Sequence, residues 1–250
     1  MKQVPARDSQ LRVDSSSPWI QESDLAFEIN EPDAYALEEG LQLKEKSGGE
    51  VIVLSAGPAR AASSIREALA TGADRASHVE ADDLQHYDAL SLGRLLAKAV
   101  EMEQPDLVLT GLQSDDMGYG QTGVIVAELL GWAHSTIIMQ VEKQDGAIRV
   151  KRELENGFFQ YIQMPLPAVL TIQSGISKLR YATLMGIKKA KTKEIKQLTP
   201  SQLGVEVQAG VRVKRVYLPE RSKQTQMLGG TPREAASQLA QKLKSEVRAI

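Results

Sequence analysis

The most constraining feature of this sequence is a glycine-rich loop between an apolar segment and a helical segment. Residues 111–123 read Gly-Leu-Gln-Ser-Asp-Asp-Met-Gly-Tyr-Gly-Gln-Thr-Gly; they follow Leu107-Val108-Leu109 and precede a helical pattern over 124–130. Glycines let backbone amides approach a ligand closely, and a helix start adds the positive end of a dipole. The junction therefore predicts an anion site, for example for a phosphate, although a plain tight turn has the same pattern. It fits neither the Walker pattern nor the dinucleotide-binding fingerprint.

Composition excludes several classes of protein. With 250 residues, 42% of them hydrophobic, the chain can bury the core of one α/β domain with extensions or of two small domains. It has no cysteine, which excludes disulfides, thiolate zinc sites and cysteine nucleophiles. The three histidines are scattered singly, so we expect no metal site, and a net charge of −2 argues against nucleic-acid binding.

No apolar run reaches the length of a membrane span, and residues 1–8 lack the apolar core of a signal peptide. We therefore expect a cytoplasmic protein that does not insert directly into a membrane.

Strands and helices alternate along the first half of the chain. Apolar strands are predicted at 51–54, 77–79 and 107–109, and helices are predicted to begin near Pro32, at Ser64 (with the capping-box partner Glu67) and at Asp88. This alternation predicts right-handed parallel crossovers. Ligands bind at the carboxyl ends of such strands, so Ser55-Ala56-Gly57 and residues 111–122 are expected to share one pocket.

The pattern changes to β structure after Gly131. Strands are predicted at 136–141, 147–153, 158–163 and 168–173, with hairpin turns at Asp145-Gly146 and Asn156-Gly157. The fold is therefore predicted to be α/β, with a parallel sheet and β-hairpin additions over residues 1–200. Residues 201–250 are predicted to be an extended arm that ends in a helix.

The last helix has a clear start: Thr231 is its cap, Pro232 its first residue and Glu234 the capping-box partner. An apolar stripe follows, formed by Ala236, Leu239, Leu243 and Val247. Such a helix either folds back on its own domain or clasps a partner.

A basic segment precedes this arm. Between Lys178 and Lys196 there are seven cations and one acid, Glu194, and they flank Leu184, Met185 and Ile187. This pattern is typical of a solvated loop with helix propensity or, alternatively, of a docking surface with an apolar anchor in a basic rim.

In order and spacing, nearly the whole chain resembles the β subunit of electron transfer flavoprotein. The matching segments are Asn30–Pro32 with Glu38-Glu39 and Leu43–Glu45, Ser55–Pro58, Ala70–Arg75, Pro105–Leu109, Gly120–Gly123, Leu166–Val169 and Arg180–Leu184.

The resemblance implies an adenine nucleotide α-hydrolase-like fold and a heterodimer with an α subunit that holds most of the flavin adenine dinucleotide (FAD) site. Family β subunits bind a structural AMP or, in bifurcating members, a second FAD. By position, the implied cofactor-binding residues are Asn30, Glu31, Pro32, Asp33, Ala56, Gly111, Gln113, Gly118, Tyr119, Gly120, Gln121 and Thr122.

The resemblance also implies a docking loop for flavin dehydrogenases, with Leu184 as anchor; its residues are Tyr181, Leu184, Met185, Ile187, Lys188 and Lys189. Arg152 and Glu153 match a charged pair near the α subunit and its flavin; alternatively, they are an exposed pair on a strand. The implied function is to carry electrons from dehydrogenases, such as acyl-CoA dehydrogenases, to a quinone oxidoreductase. No nucleophile–base pair or triad is evident, so we expect no turnover chemistry of the chain's own.

Two departures from the family pattern matter. Many members have an acidic triplet and an asparagine before Gln-Thr-Gly. Here Asp115 and Asp116 persist at shifted positions and Gly118, Tyr119 and Gly120 replace the rest, which leaves AMP and FAD as alternatives. The family also begins with an apolar strand before a Val-Lys-x-Val-Pro-like run, whereas this sequence begins at Met1–Pro5. We expect either a start further upstream or a sheet that lacks a strand and has unpaired backbone groups.

Two other classes of protein are alternatives to this family. A stand-alone adenine-nucleotide-binding protein of the universal-stress type shares the α/β architecture, but the basic segment and the arm argue against it. A nucleotide-hydrolysing or ligating enzyme lacks support, because no Lys or Arg lies within residues 106–123 to neutralise a transferring phosphate.

Overall fold

Helices and strands alternate up to residue 130, as the spacing of apolar residues predicts. The computed structural model describes residues 1–14, 18–82, 87–206, 208–219 and 225–247, with the backbone alone at 247. Its elements are β1 (Gln3–Pro5), β2 (Phe27–Ile29), α1 (Glu31–Ser47), β3 (Ile52–Gly57), α2 (Ala62–Thr71), β4 (Arg75–Glu80), α3 (Ala89–Glu103), β5 (Leu107–Gly111), α4 (Thr122–Leu130), β6 (Ala133–Gln144), β7 (Ala147–Glu153), β8 (Phe159–Pro165), β9 (Ala168–Ile172), α5 (Leu184–Ala190), β10 (Ile195–Leu198) and α6 (Pro232–Lys242).

The strands form three sheets. In the first large sheet, of order β10-β4-β3, all strands are parallel; in the second, of order β5-β9-β6-β7-β8, the first three are parallel and the last two complete an antiparallel meander. β1 and β2 form a separate antiparallel pair. The fold is therefore α/β with a parallel core and hairpin additions, as predicted. The predicted strand at 168–173 is part of that core, because β9 inserts between β5 and β6.

The parallel sheet is divided between β3 and β5. Among the described residues, β3 pairs with β4 alone and β5 with β9 alone. The amino group of Met1 donates to the carbonyl of Leu54 at 2.9 Å, so the first residue lies against β3. All five residues of β5 are only half-buried. The parallel strands of the described chain therefore belong to two separate sheets.

Two of the apolar clusters hold α1 and α2 against these sheets. One joins Ala36 of α1 to the meander and β9, with Ile138 and Leu170 fully buried. The other packs Ile65 and Leu69 of α2 against β3 and β4. Because α1 rests on β9 and α2 on β3 and β4, each of these two clusters belongs to one half of the divided sheet.

Local signals for the ends of helices were mostly correct. Asp88 caps α3 by accepting from the Ser91 amide at 2.8 Å, and Gly48, at φ 73°, follows α1. The prediction that Ser64 caps a helix is wrong: α2 begins at Ala62, and the Ser64 hydroxyl accepts a hydrogen bond from Gln3 Nε2 at 2.9 Å.

The chain divides into the compact units Met1–Val216 and Tyr217–Ile250, later than the predicted boundary at 200. The reason is that Leu203 is buried in an apolar cluster with Val79 and Leu95, which keeps the start of the arm in the first unit. Oδ2 of Asp88 then accepts from the amides of Gly210 and Val211, at 2.7 and 3.1 Å. The predicted arm segments at Val207 and at 220–224 lie outside the described residues.

The second unit contains α6, and its capping box of Thr231 and Glu234 forms as predicted. No residue of α6 is buried, and Leu239 in its apolar stripe is 49% exposed. The side chain of Val247, the last residue of the predicted stripe, lies outside the described residues. No helix in the described ranges is long and apolar enough to cross a bilayer.

Asp88 is predicted to hold the arm through its negative charge. Hydrogen bonds from Ser91 and from the arm amides lower the pKa of this carboxyl to about 2. Asp88→Asn keeps a good helix cap but turns amide hydrogens toward the two arm amides. Losing these bonds costs about 1.5 kcal/mol, so hydrogen exchange at residues 210–211 should accelerate roughly tenfold at pH 7.

Because the folded pKa of Asp88 is depressed, its contribution is complete above the ordinary aspartate pKa and is lost as the pH falls through about 2. The difference in hydrogen-exchange protection at residues 210–211 between wild type and Asp88→Asn should therefore shrink below about pH 4. An equal difference at pH 7 and pH 2 contradicts the anchoring role.

Candidate functional site

The side chain of Asn30 links the start of α1 to the glycine-rich loop. Asn30 is 1% exposed, and its Nδ2 donates to Asp33 Oδ2 and to the carbonyl of Gln113, each at 3.0 Å. Its Oδ1 accepts from the amide of Asp115 at 2.9 Å. Both hydrogens and the oxygen of this side-chain amide are thus used in hydrogen bonds inside the protein, and two of these bonds hold the backbone of the loop.

Asp33 makes the second connection between α1 and this site. Its Oδ1 accepts from the amide of Gly111 at 2.8 Å, and its Oδ2 accepts from the amide of Lys2 at 3.0 Å as well as from Asn30. A buried carboxylate is stable only when hydrogen bonds replace its lost hydration. Asp33 therefore fixes the end of β5 and the N-terminal segment relative to α1.

Gly111 lies directly against the first turn of α1. A Cβ at this position would be 2.7 Å from Pro32 Cβ and 2.8 Å from the amide nitrogen of Asp33. The predicted residues Asn30, Pro32, Asp33, Gly111 and Gln113 are therefore brought together.

The far side of the loop has the features of an anion cradle. Gly118 and Gly120 adopt φ of 64° and 62°, a region that glycine enters without strain. Gln121 precedes α4 without forming a side-chain cap, and Thr122 is the first helical residue. Within the described ranges no side chain caps the first amides of α4, and amides at such a helix start can donate to an anion.

Two cations from the N-terminal segment balance the carboxylates of this loop. Lys2 Nζ lies 2.6 Å from Asp116 Oδ1, and Arg7 lies 3.7 Å from Asp115 and pairs with Glu31. An anionic ligand here does not face unpaired carboxylates. Sequence reasoning missed both cations, because they are more than a hundred residues from the loop and no local motif connects them to it.

The other predicted nucleotide-binding residues are less closely tied to this cluster. Ala56 is half-buried in β3, where it packs against an apolar cluster that includes Val79 and Leu95. In the described part of the chain, no hydrogen bond joins Ala56 to the loop, so the shared pocket stays a prediction. Tyr119 is 52% exposed at the tip of the loop. No group of histidine, aspartate or glutamate residues in the described ranges is arranged to hold a metal ion.

The predicted docking segment folds into α5, which begins at the cap Thr183. Its large apolar side chains face outward: Leu184 is 81% exposed, and Tyr181 just before the helix is 90% exposed. Met185, Ile187, Lys188 and Lys189 are exposed as well. All six predicted docking residues are therefore accessible.

An ion-pair cluster holds the chain just before this helix. Arg180 donates to both oxygens of Glu38, at 2.8 and 3.0 Å, and to Glu45 at 2.5 Å. Burial raises the pKa of Glu38, but the hydrogen bonds from Arg180 and Gln42 outweigh burial and leave this pKa below the ordinary value. Arg180 is thus committed to α1 and does not contribute to the exposed basic rim.

Arg152 and Glu153 lie at the end of β7, opposite Gln160 and Phe159 of β8. Both are half-buried. The Nε of Arg152 is buried and has no hydrogen-bond partner within the described part of the chain. A buried guanidinium nitrogen without an acceptor is costly, so this nitrogen is the feature that sets Arg152 apart from an ordinary exposed arginine on a strand.

Comparisons with known proteins agree on one family. Residues 19–203 match the family model described as "Electron transfer flavoprotein domain". The chain is 38% identical over 251 residues to the "Electron transfer flavoprotein subunit beta" of Methylophilus methylotrophus, covering 96% of this chain and 95% of that protein. It is 34% identical over 249 residues to the protein of that name from Bradyrhizobium diazoefficiens, covering 98% and 96%. With the Bos taurus protein the identity is 37% over 237 residues, covering 94% and 91%.

Gly111→Ala is predicted to separate α1 from β5, because the added methyl has no room beside Pro32 and Asp33. We expect the free energy of unfolding to fall by about 1–3 kcal/mol, measured by urea denaturation. The matched control is Gly40→Ala within α1, where the nearest atom to the new Cβ lies at 3.6 Å. This control should be stabilising by about 0.5–1 kcal/mol, since alanine is the better helix former. Equal stability of the two variants contradicts the close contact at Gly111.

Proposed function

Since this chain belongs to the electron transfer flavoprotein β-subunit family, we propose that it is the β subunit of a heterodimeric electron carrier. The redox chemistry is supplied by FAD, which accepts and releases electrons and is held mainly by an α subunit. This chain supplies a scaffold, a nucleotide site and a docking surface. We propose that flavin dehydrogenases deliver the electrons, that a quinone oxidoreductase receives them, and that the complex works in the cytoplasm.

The nucleotide site is proposed at the loop over residues 111–122. The observation that carries this proposal is the pair Asn30 and Asp33, which hold the loop through its backbone and leave the uncapped start of α4 free for a phosphate. Lys2 and Arg7 balance the nearby carboxylates. The ligand is an adenine nucleotide, either AMP or a second FAD, because amides that bind a phosphate do not distinguish the two.

Two regions are proposed to face the α subunit. The second unit carries α6, whose side chains find no burial within the described chain, and an amphipathic helix of this kind gains stability by packing on a partner. Arg152, with its unpartnered buried nitrogen, is proposed to meet an acceptor on the α subunit or its flavin.

The exposed surface of α5 is proposed to bind the dehydrogenase. Leu184 is an apolar anchor, and Lys188 and Lys189 supply positive charge at its rim. Apolar anchors within a charged rim combine affinity with fast association, which suits a carrier that must exchange partners.

Co-expression with the neighbouring candidate α-subunit gene is expected to give a heterodimer that contains FAD and one further adenine nucleotide. Chromatography of the nucleotides released by denaturation measures this. One FAD and one AMP indicate a simple carrier; two FAD and no AMP indicate bifurcation. A monomer or homodimer without flavin contradicts the proposal and favours the universal-stress-type alternative.

Leu184→Ala is expected to slow electron transfer from the dehydrogenase without changing the FAD content of the heterodimer. Burying a leucine stabilises a contact by about 1.5–3 kcal/mol, so the second-order rate constant should fall roughly tenfold or more. Stopped-flow reduction of the flavin at varied dehydrogenase concentration measures it. The matched control is Leu11→Ala, which removes the same group from a leucine that is 51% exposed elsewhere in the first unit. Equal rates for both variants contradict docking at α5.

A further inference from the structure

Two basic residues connect the end of α2 with the end of α5 in a reciprocal way. Nη1 of Arg66, on α2, donates to the carbonyl of Ala190 at 2.6 Å and to that of Lys193 at 2.7 Å. In return, Nζ of Lys193 donates to the carbonyl of Leu69, on α2, at 2.9 Å and to that of Ala73. Each cation thus satisfies carbonyls that end the other helix, where positive charge also complements the helix dipole.

The two helices also approach closely at a glycine. A Cβ on Gly186 of α5 would collide with the carbonyl oxygen of Ala70 on α2, so a side chain at this position would force the helices apart. At this distance from α2, the carbonyls of Ala190 and Lys193 lie within reach of Arg66. The glycine and the two cations therefore act on the same helix pair.

Apolar burial alone does not explain why α5 stays in place. The helix has seven residues, and Ala190 is its one buried side chain. An isolated helix this short is unstable in water, and one alanine provides little apolar contact. Polar contacts must therefore contribute: those of Arg180 with α1 precede the helix, and those of Arg66 and Lys193 with α2 and α5 follow it.

Lys193 keeps a charged partner nearby. Burial lowers the pKa of Lys193, while the carboxylate of Asp74 acts in the opposite direction; Lys44 and Lys189 add repulsion. Asp74 itself accepts from Lys44 Nζ at 2.6 Å and from the amide of Val51 at 2.8 Å. The reciprocal contacts of Arg66 and Lys193, which we call the clamp, are thus linked through Asp74 to the start of β3 as well as to α2.

We propose that Arg66 and Lys193 are positioning residues for docking: by capping each other's helices they hold α5 so that Leu184 projects toward the dehydrogenase in one orientation. This inference rests on the proposed function, because it assigns these two residues a role at the same docking surface. Neither residue needs to touch the dehydrogenase. Their effect is to reduce the ordering that α5 would otherwise undergo on binding.

The test compares Arg66→Met, Arg66→Lys and the control Arg60→Met in the heterodimer. Arg60 lies in the turn before α2, where it pairs with Glu22 and stacks on Phe27, so its loss removes a similar cation from the same region. Hydrogen exchange of residues 184–193 reports the order of α5. The KM and kcat of flavin reduction by the dehydrogenase report docking and electron transfer separately.

Arg66→Met is expected to accelerate exchange across α5 at least fivefold and to raise KM three- to tenfold, with kcat and FAD content unchanged. Arg66→Lys should restore part of both effects, because an ammonium can donate to one of the two carbonyls. Arg60→Met should change neither.

The clamp is refuted if exchange in α5 stays unchanged in Arg66→Met, or if α5 loosens while KM remains that of wild type. If Arg66→Met loses exchange protection across the whole first unit, Arg66→Lys decides the matter. When Arg66→Lys has wild-type stability but does not partly restore KM, the positioning role is rejected. If Leu184→Ala leaves the transfer rate intact while Arg66→Met loosens α5, it is the docking function that fails. If Leu184→Ala slows transfer and Arg66→Met leaves KM unchanged, only the positioning role fails.

Discussion

The buried carboxylate of Asp33 is the interaction on which the candidate nucleotide site depends. It accepts three hydrogen bonds, from the amides of Gly111 and Lys2 and from the side chain of Asn30. These donors belong to three segments that are distant in sequence, so one charge fixes the end of β5, the N-terminal segment and the start of α1. Charge-assisted hydrogen bonds are stronger than neutral ones, and removing their acceptor would leave three donors in a poorly hydrated place. The position of the glycine-rich loop thus follows from a residue outside it.

This arrangement matters more because the sheet provides less support than a continuous parallel sheet would. With no ladder between β3 and β5 in the described chain, the two halves are joined by side chains and by helices. Leu54 of β3 and Val108 of β5 pack against the same cluster beneath α3 and α4. Apolar packing holds the halves together but does not set their register, since it lacks direction. Directional contacts come through the N-terminal segment, where the Lys2 amide donates to Asp33 and the Met1 amino group donates to the Leu54 carbonyl of β3.

How far the sequence predicted this structure depends on the distance over which each signal acts. The cap at Asp88 and the capping box of Thr231 and Glu234 were predicted correctly, because both partners lie within one helical turn. Ser64 failed because α2 already begins at Ala62, which places Ser64 inside the first turn, where its hydroxyl accepts from the distant Gln3. β10 was not predicted, since a four-residue strand is recognisable only beside its partner β4. Likewise, the loop was found by its glycines, whereas Lys2 and Arg7, which balance its carboxylates, were missed.

In the basic segment, too, the sequence shows the charges but does not show which of them make contacts inside the protein. Of its seven cations, Arg180 binds Glu38 and Glu45, and Lys193 binds the carbonyls that end α2. These two cations make their contacts within the protein, where they fix the segments on either side of α5. Lys188 and Lys189 remain exposed beside Leu184, close enough to a docked protein to act within a Debye length of about 8 Å at physiological salt. A count of charges along the sequence therefore overstates the attraction for a partner, and part of what looks like a basic docking surface is the support that holds it.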